Sequence, residues 1–326
     1  MLRKPYKVLI TGGTGFIGKS LVKKILSDSK LEKKYLEIDI ISRQTINIKN
    51  EINSKENYVT LNYFKDNINT LNSLPSKKYD YVIHAASPSS EERFRNSLSK
   101  IDRFNAVLIG SHNIFSLSNE YKFNNFLLLS SAAIYASNIN EPINEESCNY
   151  SKTDDHFSFY AEAKRASETM ALLYSEKNKF TFNIARIFSI IGPGMYLHED
   201  SGYIISNFIR ASYFNKPLEI KGNAGSVRSF LDIDDAVNFI RLLMRSNTKN
   251  EIINLGSNEK LNLKDLAKKF NTILNKKNKI IYGERVKRDF MFPDISKAKK
   301  ILNWHPKITL DQSIIKIYEE YCKSPI

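Results

Sequence analysis

Residues 11–18 read TGGTGFIG and follow directly on the apolar run YKVLI. Gly12, Gly15 and Gly18 stand at the spacing G-x-x-G-x-x-G. Between a strand and a helix, that spacing lets the backbone turn tightly and approach a diphosphate. It also opens a helix whose free N–H groups and dipole favour an anion. The context is present. Residues 7–11 read as a strand, and Ile17, Leu21, Val22, Ile25 and Leu26 recur at helical spacing after the turn. The turn, with Thr14, Phe16 and Ile17, is the candidate seat of a dinucleotide; a purely structural strand-to-helix turn is the alternative.

Outward from this turn, strand and helix signals alternate. Strands are expected over 37–41, 57–61, 79–85, 125–130, 181–187 and 251–255, and helices over 101–117, 159–177, 294–302 and 310–321. Such alternation is the pattern of an α/β, doubly wound parallel sheet. After residue 187 the pattern loosens around Gly192, Pro193 and Gly194, and the apolar run at 251–255 returns to the sheet. The expected division is therefore a cofactor domain over 1–187 and 226–257, with a smaller, discontinuous substrate-binding lobe over 188–225 and 258–326. Trp304, between the last two helices, is expected to anchor a core or an interface.

The 326 residues are 42% hydrophobic, enough for one large core or two that share an interface. Cys148 and Cys322 show no ligand spacing, no His, Cys, Asp and Glu cluster has metal spacing, and neither a disulfide scaffold nor a metal is expected. The first residues read as a strand rather than a signal peptide, and no apolar run reaches the roughly 18 residues of a membrane span. A cytoplasmic protein is expected. The net charge of +14 comes from lysines scattered through an asparagine-rich chain without interleaved aromatics. That is not a nucleic-acid footprint, whereas a positive field does attract anionic small molecules such as diphosphates.

Two further places carry chemistry. At the end of the second strand, where an acid commonly accepts the adenosine ribose hydroxyls, the chain has Ser42 and Arg43. A guanidinium there can pair with a 2′-phosphate, which tilts the cofactor from NAD toward NADP. Were the strand to end earlier, Asp39 would be the acid and the tilt would reverse; a solvated Arg43 is the plainer alternative. The second place is YAEAK at 160–164, which puts Tyr160 and Lys164 at i and i+4 on one helix face. An ammonium beside the phenol favours phenolate over a pKa of about 10, so the phenol can exchange a proton with a substrate oxygen. Ser131, at the end of an earlier strand, would align that oxygen. The competing reading is a packed tyrosine and a solvated lysine.

In order, TGGTGFIG at 11–18, HAAS at 84–87, SSAAIY at 130–135, YAEAK at 160–164, RIFSIIGPGM at 186–195, RSFLDIDDA at 228–236 and PDISKAKKILNW at 293–304 resemble the extended short-chain dehydrogenase/reductase family. The resemblance is to its nucleotide-sugar epimerase/dehydratase group, and the stretch at 192–208 is nearest in pattern to the UDP-glucuronate decarboxylase-like branch. It implies a Rossmann cofactor domain, a lobe that grips a nucleotide-diphosphate sugar, a homodimer through a four-helix bundle, and the setting of surface-polysaccharide precursor synthesis. It places Ser131, Tyr160 and Lys164 in catalysis, Ala85 and Ala86 beside the cofactor, and Ser87, Ser189, Asn207, Arg228 and Arg288 toward the substrate. An ion pair with Asp232 or Asp235 competes for Arg228, and solvated charge competes for Arg285 and Arg288. His84 reads as structural rather than as a base.

The departures bear on the reaction. Where dehydratases of this group carry an Asp-Glu pair after the catalytic hydroxyl residue, this chain has Ala132 and Ala133. Where decarboxylases carry a glutamate and an arginine, it has Ala133 and Gly194, and Ser189 replaces an asparagine that touches the diphosphate. Elimination then lacks its acid and base. What remains is reduction of a 4-keto sugar, which Arg43 favours because a net reductase commonly uses NADPH, or 4-epimerisation through a transient ketone. A non-catalytic dinucleotide-binding scaffold is the reading outside enzymology.

Overall fold

A run of β-branched and aliphatic residues buried on both faces makes a central parallel strand, because helices then cover both sides of the sheet. Strand β1 (Tyr6–Thr11) is such a run, with Val8, Leu9 and Ile10 fully buried. The computed structural model describes residues 5–32, 35–43, 59–88, 99–135, 141–147, 158–198, 202–283 and 290–325. In chain order they form β1, α1 (Phe16–Glu32), β2 (Leu36–Ser42), β3 (Val59–Lys65), β4 (Lys78–His84), α2 (Lys100–Ser116), β5 (Lys122–Ser131), α3 (Phe159–Asn178), β6 (Thr181–Ile187) and β7 (Ile190–Ile191). There follow α4 (Ile204–Tyr213), β8 (Leu218–Ile220), β9 (Val227–Arg228), β10 (Leu231–Asp232), α5 (Ile233–Arg245), β11 (Glu251–Leu255), β12 (Leu261–Asn262), α6 (Leu263–Ile273), β13 (Ile280–Tyr282), β14 (Phe290–Met291), α7 (Ser296–Leu302) and α8 (Leu310–Lys323).

Seven strands pair in the order β3-β2-β1-β4-β5-β6-β11, all parallel. This is the Rossmann order, whose direction reverses between β1 and β4 and leaves a crevice at the strands' carboxyl ends. On one face, Leu21, Val22, Ile25 and Leu26 of α1 and Phe239 and Ile240 of α5 pack on the sheet. On the other, Ile114 and Phe115 of α2 and Ala171 of α3 meet Leu128 and Ile184.

The smaller lobe has a core of its own around Phe208 and Ile209 of α4, Leu266 and Phe270 of α6, and Ile314 and Ile317 of α8. Its strands are short patches: β7 with β10, β8 with β13, and β9 between β12 and β14. Within 258–326, however, Ile295, Ala298 and Trp304 pack into the sheet-side core, and the Trp304 ring meets Phe239 edge-on at 5.2 Å. Buried acids tie the segments together. Asp232 caps α5 through Asp234 N and accepts the Ser313 hydroxyl, and Asp235 accepts the backbone N–H groups of Lys307 and Ile308.

Two of the expected strands differ from the sequence expectation by three residues or more at one end. β5 begins at Lys122 rather than at 125, and β3 extends to Lys65 rather than ending at 61. Among the described residues β3 pairs only with β2, and its mixed burial lacks the continuous apolar run that marks a central strand. Its register, Ser42 opposite Lys65, carries it to the crevice.

Candidate active site

The glycine turn joins β1 to α1 at that crevice. Gly12 has φ of +72°, and a Cβ on it would lie 2.7 Å from Ala86 N, so both the left-handed backbone and the approach of the β4 terminus require glycine. A Cβ on Gly18 would lie 2.7 Å from Gly13 Cα, inside the turn itself. Gly15 differs: a Cβ there would meet only the Gly12 carbonyl at 3.4 Å, which leaves its outer side open. Thr11 fastens the β4 end to the turn, its carbonyl accepting from Ala85 N and its hydroxyl from Ala86 N. The open side of the turn and the first N–H groups of α1 fit a dinucleotide diphosphate.

One cleft of about 1450 Å³ runs from this turn to the lobe. Gly12, Thr14, Gly15, Phe16, Ile17, Gly18, Ser42, Arg43, Ala85, Ala86, Ser87, Ser131, Tyr160, Lys164, Ser189 and Arg228 all line it. Asn207 of α4 does not line it; that helix turns Ile204 and Ile205 to the cleft, preceded by Tyr203. Arg285 and Arg288 lie outside the described residues, as does Cys148.

At the ribose end, the Ser42 and Thr14 hydroxyls are bonded to each other at 2.5 Å, and Arg43 lines the cleft beyond them. Asp39 does not take part. It is 1% exposed, mid-strand, and its carboxylate accepts from Tyr79 Oη at 2.7 Å and Asn62 Nδ2 at 2.8 Å. Asp66, Asn67 and Asn69, which the sequence reading missed, line the cleft beside Ser42, and Asp66 N donates to the Ser42 carbonyl. Placing the end of β3 four residues later would have revealed them, since loops after parallel strands face the crevice.

Tyr160 stands in the first turn of α3 and Lys164 one turn further on, which lays both against the end of β5. Lys164 is 4% exposed, and its ammonium donates to the Leu129 carbonyl at 2.9 Å. Burial pulls its pKa down to about 8, opposed by the charge of Glu168. Its Nζ lies 5.8 Å from the Tyr160 ring centre. Burial raises the Tyr160 pKa, while the Ser87 and Ser131 hydroxyls beside the phenol and the positive charge of Arg103 act in the opposite direction.

Strand alternation separates the two serines that end β5. The Ser130 hydroxyl donates to Glu168 at 2.5 Å, whereas Ser131 faces the phenol and accepts from Ala133 N at 3.1 Å. Behind this wall, Glu168 pairs with Arg186 at 2.8 Å; Arg186 donates to Tyr135 Oη, which donates to Asn254. His84 is buried, bonded to the Thr11 hydroxyl at 2.8 Å, and its pKa falls to about 3 through burial and then the nearby Lys164 charge. Neutral at ordinary pH and enclosed, it is a structural residue.

Across the cleft stand Ser189 and Arg228, with Met195, Tyr196, Tyr203, Phe230 and Met291. Asp232 and Asp235, the acids weighed as partners for Arg228, accept from Asp234 N and Ser313 and from Lys307 N and Ile308 N. The loop of Gly194 is held from α8, where Glu320 accepts its N–H at 2.7 Å.

Residues 8–256 match the model of the NAD dependent epimerase/dehydratase family. The chain belongs to that family. This family member is an NAD(P)-dependent enzyme, and the cleft holds a set of side chains suited to it. It is 27% identical over 322 residues to UDP-glucuronic acid decarboxylase 1 of Xenopus tropicalis, spanning 97% of this chain and 72% of the relative. It is 28% identical to UDP-glucuronic acid decarboxylase 3 of Arabidopsis thaliana, over 97% of this chain and 89% of that one. Its fold matches the crystal structure of UDP-glucuronic acid 4-epimerase from Bacillus cereus in complex with UDP-glucuronic acid and NAD, with a TM-score of 0.80, 20% identity, and 97% and 99% of the two chains covered. No helix among the described residues is long and apolar enough to cross a membrane, and no group of three or more metal-ligating side chains occurs among them.

Proposed function

We propose that this enzyme is a nucleotide-diphosphate-sugar 4-epimerase that works through a transient 4-keto sugar. The observation that carries this reading is a cleft wall with Ser131, Tyr160 and Lys164 side by side and Ala132 and Ala133 next to them. Among the described residues lining the cleft the carboxylates are Asp66 and Asp102. Asp66 accepts from Asn67 N, and Asp102 closes the capping box of α2 with Ser99. Neither stands ready as the acid or base of an elimination. A nicotinamide dinucleotide bound along the glycine turn supplies the oxidation of a carbinol and its reversal. Tyr160 takes the proton of the sugar hydroxyl and later returns it; Ser131 holds the same oxygen, and Lys164 keeps the phenol poised. Arg228 faces the diphosphate across the cleft.

Epimerisation stands ahead of net reduction because the family description and the Bacillus cereus relative both name it, the reverse of the order drawn from Arg43. Reduction of a 4-keto sugar with NADPH is the second reading. It is favoured by the removal of Asp39 from the ribose end and by the presence there of Ser42 and Arg43. The same proposal includes a homodimer, since α2 exposes Ile101 and Ile109, and α3 exposes Leu172 and Leu173. Native mass spectrometry of freshly purified protein, followed by an absorbance trace at about 340 nm with a 4-keto nucleotide sugar and NADPH, tests all three parts. Two chains retaining NAD, with no net loss of absorbance, is the expected outcome. Stoichiometric NADPH consumption by a protein empty or loaded with NADP overturns the epimerase in favour of the reductase, and a single-chain mass removes the dimer.

A further inference from the structure

We propose that Ser130, held by the ion pair of Glu168 and Arg186, is a positioning residue that aims the neighbouring Ser131 hydroxyl at the Tyr160 phenol. This rests on Tyr160 as the proton-transfer group and Ser131 as the holder of the substrate oxygen. Helix α3 presents Tyr160, Lys164 and Glu168 at i, i+4 and i+8, on one face, to the last three residues of β5. Two of these meetings are pins. The Lys164 ammonium donates to the Leu129 carbonyl at 2.9 Å, and the Ser130 hydroxyl donates to a Glu168 carboxylate oxygen at 2.5 Å. The third is the meeting of Ser131 with the phenol. Ser130, only 3% exposed, thus stands between the residue that holds Lys164 and the residue that faces Tyr160.

The acceptor of the Ser130 bond is itself fixed. Arg186 lies opposite Ser130 in the β5–β6 register, and in a parallel pair such neighbours project to the same face. Its guanidinium grips both Glu168 oxygens, with Nη2 at 2.8 Å from Oε2 and Nε at 3.2 Å from Oε1. The remaining nitrogen, Nη1, donates to Tyr135 Oη at 2.8 Å and to the Glu145 carbonyl at 2.9 Å. A planar fork with all three nitrogens engaged holds a carboxylate in one orientation. Ser130 therefore meets an acceptor that does not swing. Fixing one residue of a strand end fixes the pitch of the next, because successive side chains alternate about a single backbone. The bond that Ser131 accepts from Ala133 N, at 3.1 Å, stays within its own loop and gives the hydroxyl no bearing on α3. Misplacing a reacting group by about 1 Å costs roughly a hundredfold in rate, so an offset of a fraction of that at Ser131 is expected to cost about tenfold.

The test reads the contact of Ser131 with the phenol and needs no substrate, so its failure is distinct from failure of the proposed reaction. Protein labelled with ¹³C at the tyrosine Cζ is followed by NMR with NAD present, and the Tyr160 resonance is assigned by its loss in Tyr160→Phe. Ser131→Ala sets how far that resonance moves when the contact is gone. Ser130→Ala is expected to move it most of that way, and to add nothing once Ser131 is already replaced; Ser130→Thr, which keeps the hydroxyl, is expected to leave it in place. A resonance that Ser131→Ala or Ser130→Ala does not move, or that Ser130→Ala moves equally with and without Ser131, overturns the proposal, the last result being that of a merely structural hydroxyl. In steady-state kinetics Ser130→Ala is expected to lower kcat roughly tenfold with KM within about threefold, and to lower it no further in the Ser131→Ala background. An unchanged kcat, or an equal fall in both backgrounds, overturns the proposal as well. Absence of turnover in the wild type would remove the proposed reaction and leave the NMR comparison to decide the positioning role. Should Ser130→Ala not fold, Ser130→Cys, whose thiol is a poor donor, decides by the same criteria.

Discussion

The two walls of the cleft are built differently. On the Rossmann side, Ser131, Tyr160 and Lys164 are fixed by one continuous parallel sheet and a 20-residue helix, with a buried chain of bonds from Ser130 through Glu168 and Arg186 to Tyr135 and Asn254 behind them. On the lobe side, Ser189 and Arg228 sit beside or within strands of two residues, in patches of two or three strands. Glycines repeat the contrast: a Cβ on Gly18 would strike backbone, while a Cβ on Gly194 would meet nothing within 4 Å. A rigid wall suits a reaction whose atoms must be placed to within a fraction of an ångström; a wall of short patches suits recognition that varies with the sugar and the base.

Substitutions on each wall sharpen this contrast. The largest effect is expected from Tyr160→Phe, which removes the proton-transfer group. Turnover falls roughly a thousandfold while dinucleotide binding, followed by fluorescence titration, is unchanged. Retained turnover would remove Tyr160 from the role of proton-transfer group. On the lobe wall, Arg228→Ala removes the charged contact proposed for the diphosphate, so steady-state kinetics should show KM rising roughly 10- to 100-fold with kcat within about threefold. A fall in kcat alone would move Arg228 to the chemical side of the cleft.

The smallest effect concerns stability. Lys164 has a folded pKa of about 8, below its usual value of 10.5, so between those values the unfolded chain binds more protons. Stability must then rise as the pH climbs through that window, and the cost of holding the buried ammonium is fully present at lower pH. Lys164→Met is therefore expected to melt on the order of 2 °C above the wild type at neutral pH, with the gap closing toward pH 10. A gap that does not change with pH would show that the wall carries no burial cost at this lysine.

Much of this could be read along the chain. The glycine spacing, the apolar face of α1 and the Tyr160–Lys164 pair are local: a turn, a helical period and one helix step are settled by residues within a few positions of each other. From them followed the sheet class and the expectation of a dinucleotide seat and a chemical wall. Cross-strand register and face were not legible. Asp39 and Ser42 are three residues apart, yet strand alternation turns the first toward Tyr79 and Asn62 and the second into the cleft. Asp66 reaches the cleft only because β3 runs four residues beyond its apolar signal.

The sequence by itself determined the family and the sheet class, because side-chain types at fixed spacing along one helix and one turn carry that information. The tertiary structure alone decided that Asp39 is tied up in the sheet and which of the two serines faces the phenol. Each of these depends on how segments remote in the chain pack, and a shift of one residue in a strand exchanges one face of the sheet for the other.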